Sequence, residues 1–354
     1  MKGIILHGGH GTRLRPLTFT GPKQLIPIAN KPISQYALED LKEAGIKEVA
    51  IVLGDIYPEK VKEYYGDGGR FGVRITYVYQ GQPLGIAHAV GLCEEFVGDE
   101  PFVVYLGDNI LRGGIASYAE VFERSNLSAM ILLCKVKNPE RFGVAKFDST
   151  GNLIQLIEKP RQPPSPYALT GIYFFRPVIF EAIKKLKPSW RGELEITEAI
   201  QSLIDQKLSV GYKFVEGWWK DTGTWDDLLE ANRLVLDEIH PAILGVVEDE
   251  SSIQGRVFID QDAVVRKGAI VRGPSVIGRK TIIESNAYIG PYTSIGHGVI
   301  IKQAQIENSI IMDGCMIDFD GRITDSIIGP HSVVTSQKPI GRRLILGERS
   351  FVEI

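Results

Sequence analysis

The sequence predicts an α/β chain with a mostly parallel sheet, followed by a parallel β-helix of hexapeptide repeats. Three observations carry this. Short branched-aliphatic runs alternate with amphipathic helical stretches up to about residue 240. Past residue 245 the helical period gives way to a strict period of six. The chain has 354 residues, 44% of them apolar, enough for two cores at roughly 150 residues per domain. The boundary is placed at residues 241–247, giving domains 1–244 and 245–354.

In the first domain, residues 4–6, 49–53, 75–79, 102–106 and 129–134 read as buried strands: short, branched, and closed by Gly, Asp or Gln. The clearest helix begins at Pro32, carries Ile33, Tyr36, Ala37, Leu41 and Ala44 on one face, and stops at Gly45. Strand and helix in repetition mean a sheet covered on both faces, with ligands at the carboxyl ends of its strands.

In the second domain Ile259, Val265, Val271, Ile277, Ile283, Ile289, Ile295 and Ile301 stand six apart. Four residues after each come Ala263, Ala269, Ser275, Thr281, Ala287, Thr293, Val299 and Gln305, small in nearly every case. This predicts a triangular prism of eight turns with stacked inward knobs. Gly268, Gly273, Gly278, Gly290, Gly296 and Gly298 are expected to supply its corners. The phase slips after Ile301, resumes at Ile311, Ile317 and Ile323, and is expected to fray near Arg342 and Arg343. Such prisms hide apolar walls against one another, so a symmetric homo-oligomer is expected, a trimer in the first instance.

Forty basic against 43 acidic residues, with no long run of one sign, leave no surface for a nucleic acid. The apolar runs fall far short of a membrane span, and Met1-Lys2-Gly3 leads directly into a strand, so no membrane partner and a cytoplasmic location are expected. Cys93, Cys134 and Cys315 are far apart and read as buried small hydrophobes.

The first strand runs into Gly8-Gly9-His10-Gly11-Thr12-Arg13-Leu14-Arg15-Pro16, with Pro22-Lys23-Gln24-Leu25 close behind. A glycine turn of this kind exposes amides to a phosphate, and Arg13, Arg15 and Lys23 would neutralise a triphosphate. Neither standard nucleotide motif fits: a Walker loop needs Lys directly after its last Gly, and the dinucleotide fingerprint needs Gly at Leu14. Asp108 follows a buried strand, and Asp221 lies in Trp218-Trp219-Lys220-Asp221-Thr222-Gly223-Thr224. Each reads either as a cation-holding carboxylate or as a turn cap. The acidic pairs Asp226-Asp227 and Glu94-Glu95 read as solvated faces or first-turn charges.

The glycine loop, Lys23-Gln24-Leu25-Ile26-Pro27, Gln80-x-x-Pro83-x-Gly85 and the hexapeptide repeat together resemble the sugar-1-phosphate nucleotidyltransferases, and within them the long-form thymidylyltransferases. The resemblance covers essentially the whole chain. It implies a Rossmann-like nucleotidyltransferase domain followed by a left-handed β-helix, and nucleotidyl transfer from dTTP, with UTP as the alternative, to glucose 1-phosphate. Gly8, Gly9, Gly11, Thr12, Gln24, Gln80, Pro83 and Gly85 would hold the nucleotide, and Arg13, Lys23 and Lys159 would serve catalysis. Asp108 and Asp221 would bind Mg²⁺. On the sugar side the resemblance extends to Arg141-Phe142-Gly143-Val144, Leu156-Ile157-Glu158-Lys159-Pro160, Thr170-Gly171-Ile172-Tyr173 and 191–197; Gly143, Glu158, Lys159, Tyr173 and Arg191 would take the sugar phosphate.

The chain departs from that family at His7, where a small residue is usual, and at His10; His7 is expected to pack outward. The repeat also scaffolds acyltransferases, for which His297 and His331 are the candidate bases, although each reads more simply as a corner residue. A non-catalytic binding homologue is disfavoured because Lys23, Asp108, Lys159 and Asp221 are all present.

Overall fold

The structure, a computed structural model, describes residues 1–336 and forms two compact units that divide after residue 235. This division precedes the expected 241–247, because Ala242–Ile243 is already a strand paired with Val257–Ile259 of the repeat. The tail at Arg342 and Arg343 lies outside the described residues. Among the described residues no helix is long and apolar enough to cross a membrane.

In the first unit β1 (Lys2–His7), β2 (Glu48–Gly54), β3 (Arg74–Gly81) and β4 (Phe102–Leu106) are parallel, in the order β4-β1-β2-β3. A short strand β5 (Asn109–Leu111) leaves the end of β4. Beyond β4 the chain adds β6 (Ala129–Lys135), β7 (Gly143–Phe147), β8 (Leu153–Glu158), β9 (Tyr167–Phe175) and β10 (Val210–Phe214). Strand β9 runs antiparallel to β4, β6 and β7, and β8 antiparallel to β7. All five expected strands are present, lengthened by a few residues at most.

Alternation along the central strands divides their side chains between two cores. Ile4, Leu6, Ala50, Val52 and Val104 pack on one face with α3 (Ile86–Gly91), α5 (Val178–Ile183) and α6 (Ile196–Asp205). Ile5, Val49, Ile51, Leu53 and Tyr105 pack on the other with α1 (Ile33–Glu43), α2 (Pro58–Tyr65) and α4 (Ala116–Arg124). The helix read from Pro32 is α1: Ile33, Ala37, Leu38 and Leu41 are its buried members, and Gly45 ends the segment at φ +80°. Tyr36 sends its hydroxyl to the Ile28 carbonyl at 2.8 Å. Cys93 and Cys315 are buried, while Cys134 is partly exposed.

One polar contact fastens α1 to the strand that ends at the site: Tyr105 donates to Asp40 at 2.9 Å. Burial pushes the Asp40 carboxyl up to about 7, against the lowering effect of that bond.

The second unit is the prism. Its strands form three parallel sheets, consistent with a left-handed β-helix, and each repeat pairs with the one three repeats on: Val265 with Ile283, Ile283 with Ile301. The eight repeats are therefore sides, three to a coil, rather than eight turns. The phase slip is a shortened coil, in which Ile289 meets Ile306 and Ile295 meets Ile311. Ala304 is the buried small residue there, and Gln305 is exposed.

The glycines divide by role. Gly268 and Gly298 have positive φ, as expected for corners, but Asp262, Lys280 and Asn286 take that conformation at others. Gly278 is needed instead because a Cβ would strike the backbone at Gly296 and His297 on the next coil. The His297 ring accepts the Arg279 amide at 2.8 Å, and His331 sits at φ 58°. Both therefore serve corners.

Two predictions follow from this packing. Ile283 is fully buried in the column with Val265 and Ile301, and an unpaired carboxylate there costs several kcal/mol, about the stability of a domain. Ile283→Asp should abolish the second unit's melting transition in calorimetry, whereas Ile283→Val should lower it by only about 1 kcal/mol. For Asp40, the unfolded chain ionises near 3.8 while the native state keeps its proton to about 7. The native state loses stability as pH rises through that window. Asp40→Asn removes the loss, so its melting temperature should gain on the wild type between pH 5 and pH 8; a constant difference would show that Asp40 is ionised throughout.

Candidate active site

At the carboxyl ends of β1 and β4 the chain must leave the sheet, and these two exits build the site. After β1, Gly9 and Gly11 take positive φ of 89° and 58°, and the Gly11 carbonyl accepts from Thr18 Oγ1 at 2.9 Å. After β4, Gly107 passes so close to the Leu6 carbonyl, His7 and Gln24 that a Cβ would lie 2.8 Å from the Leu6 oxygen. Any other residue would push Asp108 away from Lys23.

Lys23 and Asp108 form an ion pair inside this corner. Burial disfavours charge on both, but each outweighs that for its partner: the Lys23 ammonium is held above its ordinary range and the Asp108 carboxyl below it. Asn109 also donates to Asp108 at 2.9 Å. Opposite stands β11 (Trp219–Asp221), paired with β5 so that Asp221 faces Asn109. Thr222 donates its amide and hydroxyl to the Asp108 carbonyl at 3.1 and 2.8 Å. Burial, and then the charge of Asp108, push the Asp221 carboxyl up to about 6. The turn-cap alternative for these two carboxylates has no support: their side chains face one cleft, which Arg13 also lines.

That cleft, about 320 Å³, takes in nearly every residue expected at the site. Toward the glycine loop it is lined by Gly8, Gly9, Gln24, Gln80, Pro83 and Gly85. Gln24 is 1% exposed and spends its amide on the Gly8 carbonyl at 3.0 Å, leaving its oxygen unpartnered. Gln80 donates to the Gly85 carbonyl at 3.0 Å.

At the other end lie Gly143, Glu158, Lys159, Tyr173 and Arg191. Arg191 reaches Glu193 at 2.8 Å, Glu195 at 3.2 Å and Glu158 at 3.5 Å, and Thr197 donates to Glu158 at 3.1 Å. Burial and Glu195 raise the Glu158 carboxyl above its usual range.

Three expectations change. Gly11 and Thr12 do not line the cleft; they shape the turn behind it. His7 points inward, buried edge-on to Tyr65 at 6.0 Å, and burial lowers its pKa to about 3, so it is a neutral ring. Asp227 lies in the first turn of a helix, one of its two readings, but is buried rather than solvated. His10 stays at the surface against Asp55 at 3.1 Å.

Asn109, Arg141, Thr170, Glu195, Thr197 and Trp219 also line the cleft without having been assigned a role. Asn109 follows Asp108, and the other five lie inside the motifs quoted above, so the signal for them was membership of those motifs.

The two ends are stitched together by backbone. Ala87 donates to the Leu194 carbonyl at 3.0 Å and Leu194 to the Leu84 carbonyl at 2.8 Å. Gly85, at φ 108°, sits directly on that backbone.

With this geometry in hand, comparison with known proteins is decisive. Residues 2–238 match the nucleotidyl transferase family model. The chain belongs to the nucleotidyl transferase family. Residues 271–353 of this nucleotidyl transferase also match the GMPPB C-terminal domain. It is 49% identical to the low-salt glycan biosynthesis nucleotidyltransferase of Haloferax volcanii, over all of both chains. It is 44% identical to a Streptomyces griseus glucose-1-phosphate thymidylyltransferase, over all of this chain and 99% of that one. A Bacillus anthracis protein assigned to the glucose-1-phosphate thymidylyltransferases and solved with a sucrose superposes with a TM-score of 0.64 at 42% identity, covering 68% of this chain and 97% of its own. The family resemblance read from the motifs is thus borne out.

Gly85→Ala should disturb both ends of the cleft at once, since the new methyl has no space and φ is unfavourable. The expected result is a raised KM for both substrates and a lower melting temperature; an effect on one substrate alone would show that the stitch is not shared.

Proposed function

We propose that the chain transfers a thymidylyl group from dTTP to glucose 1-phosphate, releasing pyrophosphate and giving dTDP-glucose, for pathways that build dTDP-deoxysugars. The observation that carries this reading is a single cleft with a glycine loop and two glutamines at one end, a Lys-Arg-Glu cluster at the other, and a carboxylate pair beside Lys23 and Arg13 between them. Glycine-loop amides suit phosphates. Gln24, whose side-chain oxygen is unpartnered, suits the N3–H of a pyrimidine, with Gln80 at the same end, and Glu158 accepts from sugar hydroxyls.

The attacking group is the sugar phosphate's own oxygen, in line with the α-phosphorus, so the protein aligns the two anions and offsets their charge. Arg13 and Lys23 serve the nucleotide phosphates, Lys159 and Arg191 the sugar phosphate. Asp108 and Asp221 suit Mg²⁺: two carboxylates close enough that one raises the pKa of the other favour a shared hard cation, whose remaining ligands would be water and phosphate. Such an ion supplies further neutralisation of the phosphates when bound.

UTP is the second nucleotide to consider, since both pyrimidines offer the same edge to Gln24. The corner roles of His297 and His331 support a scaffold over acyl transfer in the repeat unit. Self-association of that unit is supported by an outward column of Val246, Val264, Ile282, Ile300, Met316 and Val333, which is 57%, 37% and 65% exposed at Val246, Met316 and Val333. Beside it runs a ladder of alternating charge, Glu248, Arg266, Glu284, Lys302 and Asp318, that a second copy could match.

A matrix of nucleoside triphosphates against sugar 1-phosphates, read by pyrophosphate release, tests the reaction. dTTP with glucose 1-phosphate should lead and UTP should follow; faster turnover with ATP or GTP would reject the pyrimidine reading. In the same assay Asp108→Asn and Asp221→Asn should each cost on the order of 10² to 10³ in kcat.

A further inference from the structure

Helix α7 (Trp225–Leu236) begins behind the acceptor end of the cleft, and its first turn holds an acidic group that the proposed reaction does not use. Asp227 is 8% exposed and draws three donors, two from residues 220–224 and one from Arg141. The Thr224 hydroxyl donates to Oδ2 at 2.6 Å and, in return, accepts the Asp227 amide at 3.3 Å, which caps the first turn of the helix. Lys220 reaches Oδ1 at 2.8 Å, and Arg141 reaches Oδ2 at 3.3 Å. A helix cap needs only the first of these.

The other two contacts lead to the cleft. Trp219 and Asp221 line it, while Lys220 between them turns the other way, onto Asp227 and onto Glu230 at 2.5 Å. Arg141 itself lines the cleft, its guanidinium 5.8 Å from the Phe142 ring, which stands edge-on to Trp219 at 5.4 Å. The Phe142 carbonyl accepts the Lys159 amide at 3.0 Å, which places Arg141 at the sugar-phosphate end. Arg141, Phe142 and Trp219 thus form one wall, and Asp227 bolts that wall from outside.

We propose that Asp227 is a positioning residue for the acceptor: it holds Arg141 as an anion-binding group for the phosphate of the sugar phosphate. This rests on the acceptor assignment above. Arg141 is the group that touches the ligand, and Asp227 acts through it. A guanidinium on a flexible stem loses much of its affinity for phosphate when it must be ordered on binding, and a buried carboxylate removes that cost beforehand.

Asp227→Asn keeps an oxygen for the cap while removing the charge that holds Arg141. Its KM for glucose 1-phosphate should rise on the order of tenfold, the scale of one charge-assisted contact, with the KM for dTTP and kcat within about twofold. Asp227→Glu should restore much of the loss. Arg141→Ala should raise the same KM, and adding Asp227→Asn to it should add nothing, because the two act in series. A lower melting temperature with an unchanged sugar-phosphate KM, or equal effects on both substrates, would reduce Asp227 to a helix cap and overturn the proposal. Calorimetric binding of glucose 1-phosphate makes the comparison without turnover. Binding that depends on Asp227 in a chain that releases no pyrophosphate with any pair would reject the transfer reading and support the positioning role; equal affinity in wild type and Asp227→Asn would overturn it.

Discussion

The buried ion pair of Lys23 and Asp108 is the contact on which the site depends. Desolvating two charges is expensive, and such a pair contributes little net stability compared with a well-packed apolar one. Its effect is geometric. It ties the segment after the glycine loop to the end of β4, and it holds the Asp108 carboxyl below its ordinary range against the opposing effect of burial. The charge of Asp108 in turn adds to burial in raising the Asp221 carboxyl across the cleft. Glycine at 107 is part of the same constraint, since the pair closes only because β4 can leave the sheet against the Leu6 carbonyl.

Around this pair the polar groups fall into a pattern of mutual restraint. Gln24 is held by Gly8, Gln80 by Gly85, Glu158 by Thr197, and Arg191 by three glutamates. Catalysis by alignment and charge neutralisation needs groups that are already in place, because every rotor frozen on binding subtracts from what the ligand gains. The three carboxylates around Arg191 also offset its charge within the cleft.

Much of this was legible in the sequence, and the reasons differ by element. The central strands were readable because both their faces are buried, so residues such as 49–53 are apolar throughout. The prism was readable because one inward residue recurs at a fixed spacing. Strands β8 and β10 were not: each has a solvated side, and a run such as Val210–Phe214, with Gly and Lys inside it, carries no period. The cleft residues were legible as motifs, yet their partners were not. Nothing in the spacing of Lys220 and Asp227 reveals that one turns away from the cleft to meet the other, since that follows from the pleat of a three-residue strand. His7 illustrates the opposite error. A lone polar ring reads as an outward residue, whereas the strand's alternation and the edge of Tyr65 place it inside.

The pairing of each prism side with the side three repeats on makes the second unit a stack with only vertical neighbours. Gain or loss of one repeat would rotate everything downstream by a third of a revolution and bring an outward wall into the wrong azimuth. Gain or loss of three would leave every wall where it was and change only the height. The shortened coil at Ile301 follows a gentler rule, because its missing residues come from corners while the inward column stays continuous through Ile306 and Ile317. Length in this half of the chain is thus free to drift in whole storeys or in corner residues, but not in single sides.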